Sequence, residues 1–255
     1  MVLEEFDECK ESTFDPNEVQ NVIPNFPKIG ITCFSYKLMT RFIETFKGVE
    51  IASLHNGNGT IPIYKINYKG LDIALFMSRV GATPCVIGYE EITAMGLEKL
   101  IMFGMCGVLD RNISDLAIII PTVAVRDEGT SYHYAKASRE IEGNKKYKKE
   151  FIEILKENNI SYIEGKVWTT DAPYRETRGK VLKRKEEGCI CVDMECSAMF
   201  AVSKFRNKDL FQFFYAADNL DCNKWDPRSL GNDAKLNDKE KIIYLALELA
   251  TKIKD

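Results

Sequence analysis

Three acidic side chains placed at the ends of apolar runs are the residues of this chain best suited to chemistry. Gly188-Cys189-Ile190-Cys191-Val192 reads as a buried strand, and it delivers Asp193, Met194 and Glu195 before the chain turns helical on small residues. A second apolar run, Leu210 to Ala217, ends on Asp218. In α/β sheets ligands bind outside the ends of the strands, so acids there face a ligand rather than the core. The pairing suits two tasks, holding a sugar through its hydroxyls and handling a proton as a general acid. Arg228 follows Asp218 in sequence and is the cation that could lie near it and modulate it.

Three segments that follow strands could complete such a site. Phe103-Gly104-Met105-Cys106-Gly107-Val108 reads as a glycine-bracketed turn, where glycine permits close backbone approach to a ligand or simply a tight turn. Arg126 to Tyr134 crowds charges, hydroxyls and aromatics, Thr130 and His133 among them, around Gly129. Thr169 to Arg175 contains Pro173 and Tyr174, with Thr170 or Asp171 placed to cap a following helix.

The elements that must position these residues alternate. Strands are expected at Lys28–Phe34, Ile61–Tyr68, Leu71–Val80, Leu100–Phe103, Leu116–Ile120 and Tyr162–Trp168, besides the two that carry the acids. Helical periodicity marks Tyr36–Phe46, Pro84–Met95 (closed by Gly96), Phe151–Asn158, Arg175–Glu187, Ser197–Phe205 and Asp238–Ile253. His55-Asn56-Gly57-Asn58-Gly59 reads as a turn. Hairpin-like pairs interrupt the alternation, so the expected fold is α/β, a three-layer α/β/α sandwich around a mixed central sheet. Residues 1–27 read as an N-terminal extension and 28–255 as a single domain.

Composition excludes several classes. The 255 residues carry a formal net charge of −3 with scattered Lys and Arg, so no clustered basic face for nucleic acid is expected. No apolar run reaches membrane-spanning length, and the N-terminus is acidic where a secretory signal is basic. A cytoplasmic protein with reduced thiols is expected. Six of the eight cysteines lie in apolar runs, no C-x-x-C occurs, and the two histidines are far apart, so no metal site is expected.

Taken in order, Ala124 to Tyr134, Val192-Asp193-Met194-Glu195 and Ala216-Ala217-Asp218 resemble the nucleoside phosphorylase superfamily. This is the group of hexameric purine nucleoside phosphorylases, uridine phosphorylases and methylthioadenosine nucleosidases, and the similarity runs from about Lys28 to the C-terminal helix. The resemblance implies that Glu195 bonds the ribose hydroxyls and that Met194 packs against the sugar. Asp193 stands where the family usually has glutamate. Asp218 matches the aspartate that donates a proton to purine N7; uridine phosphorylases resemble the Arg126–Tyr134 loop more closely but lack that acid. Cys106, Gly107, Thr130, His133, Pro173 and Tyr174 fall in the family's substrate-binding segments.

The departures concern phosphate. Where the family has a Gly-Asp-Pro-x-Arg turn this chain has Phe34-Ser35-Tyr36-Lys37-Leu38, and Met102 and Met105 replace an arginine and a Ser or Thr. Arg79 is the leading substitute cation, with Lys37 and Arg41 behind it. The implied activity is phosphorolysis of purine nucleosides to base and ribose 1-phosphate, with inorganic phosphate as co-substrate and no cofactor. A hydrolytic nucleosidase, a uridine phosphorylase and a catalytically weak nucleoside-binding protein remain alternatives. Family members form dimers or hexamers in which a neighbour closes the site, a role that would fall to His55 or the N-terminal arm.

Overall fold

Continuous apolar runs build the centre of the molecule, because a strand paired on both edges and covered on both faces buries every side chain. The computed structural model describes residues 2–57, 59–231 and 234–254. In chain order its elements are α1 (Pro16–Val19), β1 (Ile29–Cys33), α2 (Tyr36–Thr45), β2 (Val49–Asn56), β3 (Gly59–Tyr68), β4 (Leu71–Met77), α3 (Ala82–Met95) and β5 (Lys99–Val108). They continue with β6 (Ile118–Asp127), β7 (Glu140–Glu142), α4 (Lys148–Glu157), β8 (Tyr162–Thr170) and α5 (Arg178–Glu186). The last are β9 (Cys189–Asp193), α6 (Cys196–Phe205), β10 (Asp209–Asn219) and α7 (Leu236–Lys252).

All ten strands join one mixed sheet. β1 is the central example: it lies parallel between β4 and β5, and all five of its residues are buried. The expected layering is present. Helices α3 and α6 pack together on one face over Val86, Ile92, Met95, Met199 and Phe200, while α2, α4 and α7 cover the other. Alternate residues of β10 serve the two cores, Leu210 and Phe214 on the first side, Phe211, Phe213 and Tyr215 on the second. Residues of the N-terminal arm lie along the first face, where Phe6 meets Phe205 edge-on and Ile23 N–H bonds Met95 O.

One half of the sheet closes on itself, a feature that the alternation of strands and helices does not reveal. β10 pairs with both β5 and β6, and the path β6–β8–β9 returns to β5, making a ring of five strands. Gly107 of β5 is thereby flanked by Val192 of β9 on one side and Asp218 of β10 on the other. The ring is what brings the two acid-bearing strand ends together.

Three of the following four segments differ from the sequence expectation. The Phe103–Val108 stretch is no turn; β5 runs unbroken to Val108 because β10 pairs with it along its full length. Its glycines serve close approach instead. A Cβ at Gly104 would stand 2.7 Å from the Phe34 ring, and one at Gly107 would stand 2.5 Å from Leu220. β2 was not expected, since Val49 and its neighbours are largely exposed and too little of the strand is apolar to show a period. The expected His55–Gly59 turn joins β2 to β3, with His55 facing Thr60 and Asn56 facing Gly59; its Asn58 lies outside the described residues. Finally, α5 begins at Arg178 rather than Arg175, because the Thr177 hydroxyl caps it by accepting the Lys180 N–H.

Phe151 of α4 rests on Phe213 and Phe211, with ring centroids 4.5 and 5.0 Å away. Truncating a buried aromatic forfeits its transfer energy and leaves a cavity. Phe151→Ala is expected to destabilise the fold by about 3–5 kcal/mol, read as a lowered urea midpoint with little change in slope.

Candidate active site

The Asp193 carboxylate organises the end of β9. Its Oδ2 accepts the backbone N–H groups of Glu195 (3.0 Å) and Cys196 (2.7 Å), capping the first turn of α6, and its Oδ1 accepts the Thr169 hydroxyl at 2.7 Å. Thr169 Oγ1 in turn accepts Ser197 N–H, and the Ser197 hydroxyl donates to Glu128 Oε1. Asp193 had been placed among the substrate ligands. It does border the cavity, but both of its oxygens are engaged by the protein, so it holds Glu195 in position rather than reaching outward.

Glu195 is buried, and its Oε1 accepts the N–H of Gly81 at 2.6 Å. Gly81 precedes the first residue of α3 with φ +99°, a conformation that side-chain-bearing residues rarely adopt. The carboxylate is thus docked against a helix N-terminus, where oriented N–H groups favour negative charge. Burial nevertheless raises the Glu195 pKa to about 8, and the nearby Asp193 charge adds to the rise. Burial raises Asp193 as well, less strongly, because Thr169 and two backbone N–H groups bond its ionised form.

Asp218 closes the other end. Its Oδ2 accepts the Trp225 indole N–H at 2.8 Å. Burial lifts its pKa, and Trp225 together with the positive charge of Arg228 counters part of the lift. The Arg228 guanidinium, whose charge acts on Asp218, donates to Ile113 O at 2.8 Å and faces Asp226.

Between these ends lies a cavity of about 280 Å³, lined by Phe34, Val80, Met105, Cys106, Gly107 and Pro173 together with Asp193, Met194, Glu195 and Asp218. A second hollow of about 560 Å³ continues outward from Asp218 past Trp225 and Tyr174. Seven of the expected site residues therefore share one cavity: Cys106, Gly107, Pro173, Asp193, Met194, Glu195 and Asp218. Tyr174 is fully exposed at the rim of the outer hollow. Thr130 is buried elsewhere, its hydroxyl 2.7 Å from that of Thr83. His133 lines a separate hollow against the N-terminal arm, and His55 bonds Ser53 and Thr60.

The three candidate phosphate cations are not brought here. Arg79 donates to Gly59 O at 2.8 Å, Arg41 pairs with Glu240 and Asn237 on the α2–α7 side, and Lys37 is exposed in the first turn of α2. Among the described residues that line the cavity there is no lysine or arginine. Met102 is wholly buried and Met105 forms part of the wall. Two contributors were not anticipated. Glu176 was assigned to the interior of a helix, and only the capping Thr177 signals that it precedes one; Trp225 lies in a polar loop with no periodic signal. No group of three or more His, Cys, Asp or Glu among the described residues could hold a metal ion, and no helix among them is long and apolar enough to cross a membrane.

Comparison with known proteins places this geometry. Residues 28–253 match the model of the phosphorylase superfamily, and the chain belongs to that family. Its relatives include a protein of Halorubrum lacusprofundi named guanosine phosphorylase, 23% identical over 58% of this chain and 61% of its own length. A DeoD-type purine nucleoside phosphorylase of Shewanella oneidensis is 24% identical over 73% of this chain and 78% of its own. An uncharacterised mimivirus protein is 29% identical over 79% of each. The chain thus spans about three fifths of the first relative and nearly four fifths of the other two. The crystal structure of uridine phosphorylase from Vibrio fischeri superposes with a TM-score of 0.74 at 23% identity, covering 93% of this chain and 95% of that one; the likeness establishes the shared fold.

The raised carboxyl of Glu195 makes stability depend on pH. The unfolded chain releases this proton near the ordinary value of 4.5, whereas the fold keeps it to about 8. The folded state therefore binds more protons in that window, and stability falls as pH rises through it. Glu195→Gln keeps an acceptor for Gly81 N–H and removes the titration. Urea midpoints measured from pH 5 to pH 8 are expected to decline less in this variant than in the wild type.

Proposed function

We propose that this protein cleaves the N-glycosidic bond of purine nucleosides. The observation that carries the reading is one cavity with the buried, fixed carboxyl of Glu195 at one end and the partly desolvated Asp218 at the other. Glu195 accepts the ribose hydroxyls, with Met194 against the sugar. The nucleophile bonds to the anomeric carbon as the bond to N9 breaks, and the electron pair of that bond passes to the base. A proton from Asp218 to N7 lets the purine leave neutral rather than as an anion, and the raised pKa of Asp218 suits that task. Family membership and the names of the purine and guanosine phosphorylase relatives support phosphate as the nucleophile, giving ribose 1-phosphate. A homodimer or homohexamer in the cytoplasm is the setting this reading carries with it.

A second reading is favoured by a specific observation. A phosphate dianion would enter a cavity that the described residues line with carboxylates and thioethers, without a cation. Uncompensated charge in a partly desolvated site is strongly disfavoured, whereas water brings no charge. The reaction is then hydrolysis on the same scaffold, to base and free ribose.

An assay of inosine, guanosine, adenosine and uridine with and without phosphate separates these readings. Phosphate-dependent formation of ribose 1-phosphate from the purine nucleosides is expected under the first. Ribose release in phosphate-free buffer overturns it in favour of hydrolysis, and faster cleavage of uridine than of any purine overturns the base assignment. Asp218→Asn is expected to lower kcat on inosine by about 10²–10⁴-fold. A ribosyl substrate whose leaving group needs no proton should lose far less, and equal losses on both would remove Asp218 from proton transfer.

A further inference from the structure

The two oxygens of the Asp218 carboxyl face different neighbours. Oδ2 accepts the Trp225 indole N–H at 2.8 Å, whereas Oδ1 lies beside Gly107, 3.1 Å from the point where a Cβ would stand. Gly107 lines the inner cavity, and Trp225 lines the outer hollow with Tyr174, Leu220 and Leu230. The indole is brought there by a loop that is closed on itself. Asn219, the last residue of β10, exchanges two backbone hydrogen bonds with Asp226, and its carbonyl also accepts the Cys222 thiol at 3.0 Å. Asp221 pairs with Lys185 of α5 and with Arg111, and Arg178 donates to Asn223 O, so the loop is tied down outside the cavity as well. Trp225 is next to the Asn219–Asp226 bridge in sequence, yet it is 56% exposed. With so much of the ring in water, packing does not fix its place, and the bond to Asp218 does.

We propose that Trp225 is the positioning residue of the acid: its indole N–H claims Oδ2 of Asp218 and leaves the transferable proton on Oδ1, on the cavity side. The inference rests on the nucleoside-cleaving reading above and deepens it. An indole nitrogen is a donor only, so the oxygen that it meets can act only as an acceptor. A protonated Asp218 held in this way carries its hydrogen on the other oxygen, where the base nitrogen can take it. When the proton passes from Oδ1 to N7, the electron pair of the glycosidic bond goes to the base and Asp218 is left as a carboxylate. The indole bond then becomes charge-assisted and stronger. A lysine in place of the indole would also supply a donor, but its charge would hold the acid ionised before the reaction. A neutral donor orients the carboxyl without forbidding its protonation.

The same bond has a pH signature. Burial raises the Asp218 pKa, and the indole N–H, the residue's own backbone N–H and the Arg228 charge oppose the rise. The other charged groups that face Asp218 are Asp226 of its own loop, Glu176, which precedes α5, and, in the same cavity, Asp193 and Glu195 at the end of β9. Arg178 of α5 lines the outer hollow, and β5 contributes Gly107 and the Cys106 thiol. None of these groups is removed when a phenyl ring replaces the indole. A hydrogen bond to the ionised form lowers a pKa, so losing that bond raises it. A general acid works while it is protonated, and the fall of kcat on the alkaline side then moves to higher pH.

The test is the pH profile of kcat for inosine in the wild type, Trp225→Phe and Trp225→Ala. The second substrate is 4-nitrophenyl riboside, whose leaving group needs no proton. Both variants should fold, because the side chain stands mostly in water. Both are expected to lower kcat on inosine on the order of 10-fold below the alkaline limb. The limb itself should move up by about half a unit to one unit, while the second substrate keeps its rate and profile. A loss shared by both substrates with the limb unmoved makes Trp225 a packing residue and overturns the role, as does a Trp225→Phe profile that matches the wild type. Indole fluorescence reads the contact without turnover. The pH-dependent part of the emission that Trp225→Phe removes should vanish in Asp218→Asn; its persistence there, or its absence from the wild type, overturns the contact. A wild type that shows this coupling but cleaves no nucleoside overturns the cleavage reading alone.

Discussion

The buried carboxylate of Asp193 is the interaction on which the rest of the site depends. A charge taken out of water is strongly unfavourable unless hydrogen bonds replace the lost hydration. Asp193 has three, from the Thr169 hydroxyl on β8 and from two N–H groups that open α6, and it sits at a helix N-terminus that favours negative charge. These bonds join β8, β9 and α6 at one point. Ser197 and Glu128 extend the junction to the loop after β6. With that point fixed, Glu195 has one direction left, toward the Gly81 N–H at the start of α3.

Ring closure supplies the second constraint. Glu195 and Asp218 are presented by strands that never pair with each other; both flank β5, and they face one cavity because Gly107 has no side chain. A Cβ at that position would stand 3.1 Å from Asp218 Oδ1, 3.2 Å from Val192 and closer still to Leu220. The glycine is where the two acid-bearing strands meet.

The acids were legible in the sequence because each ends a buried strand whose continuous apolar character is itself the signal. The helices were legible for the same reason, since α2, α3, α4 and α7 carry unbroken apolar stripes. What escaped was everything set by pairing rather than by pattern. Gly104 and Gly107 look like a turn in isolation, and only the neighbouring β10 and the Phe34 ring explain why they are glycine in a strand. Asp193 and Glu195 look equivalent two residues apart, yet one is consumed by the cap of α6 and the other reaches Gly81 at the start of α3. Arg79, Lys37 and Arg41 were credible cations by type, but Arg79 bonds Gly59 O and Arg41 is held by Glu240 and Asn237. Glu176 was hidden by helical periodicity that begins three residues too early, and Thr177, a good N-cap, is the local clue that it precedes the helix.

The electrostatics of the cavity follow from the same architecture. A helix N-terminus beside a glycine is a ready anion site, and the start of α3 at Gly81 is one. Here the Glu195 carboxyl already occupies that N–H. Met105 and Phe34 finish the wall with apolar surface, and Met102 is withdrawn into the core. The Gly81 N–H that could meet an incoming anion is thus spent on holding Glu195. Carboxyls whose ionisation is opposed by burial gain from hydroxyl donors and from nearby positive charge, so under the proposed function the cavity would favour a ribosyl cation-like state over a free anion. Under the proposed function, sugar recognition and transition-state stabilisation draw on the same side chain, Glu195. The choice of nucleophile is left to whichever species can approach that carboxyl at the least electrostatic cost.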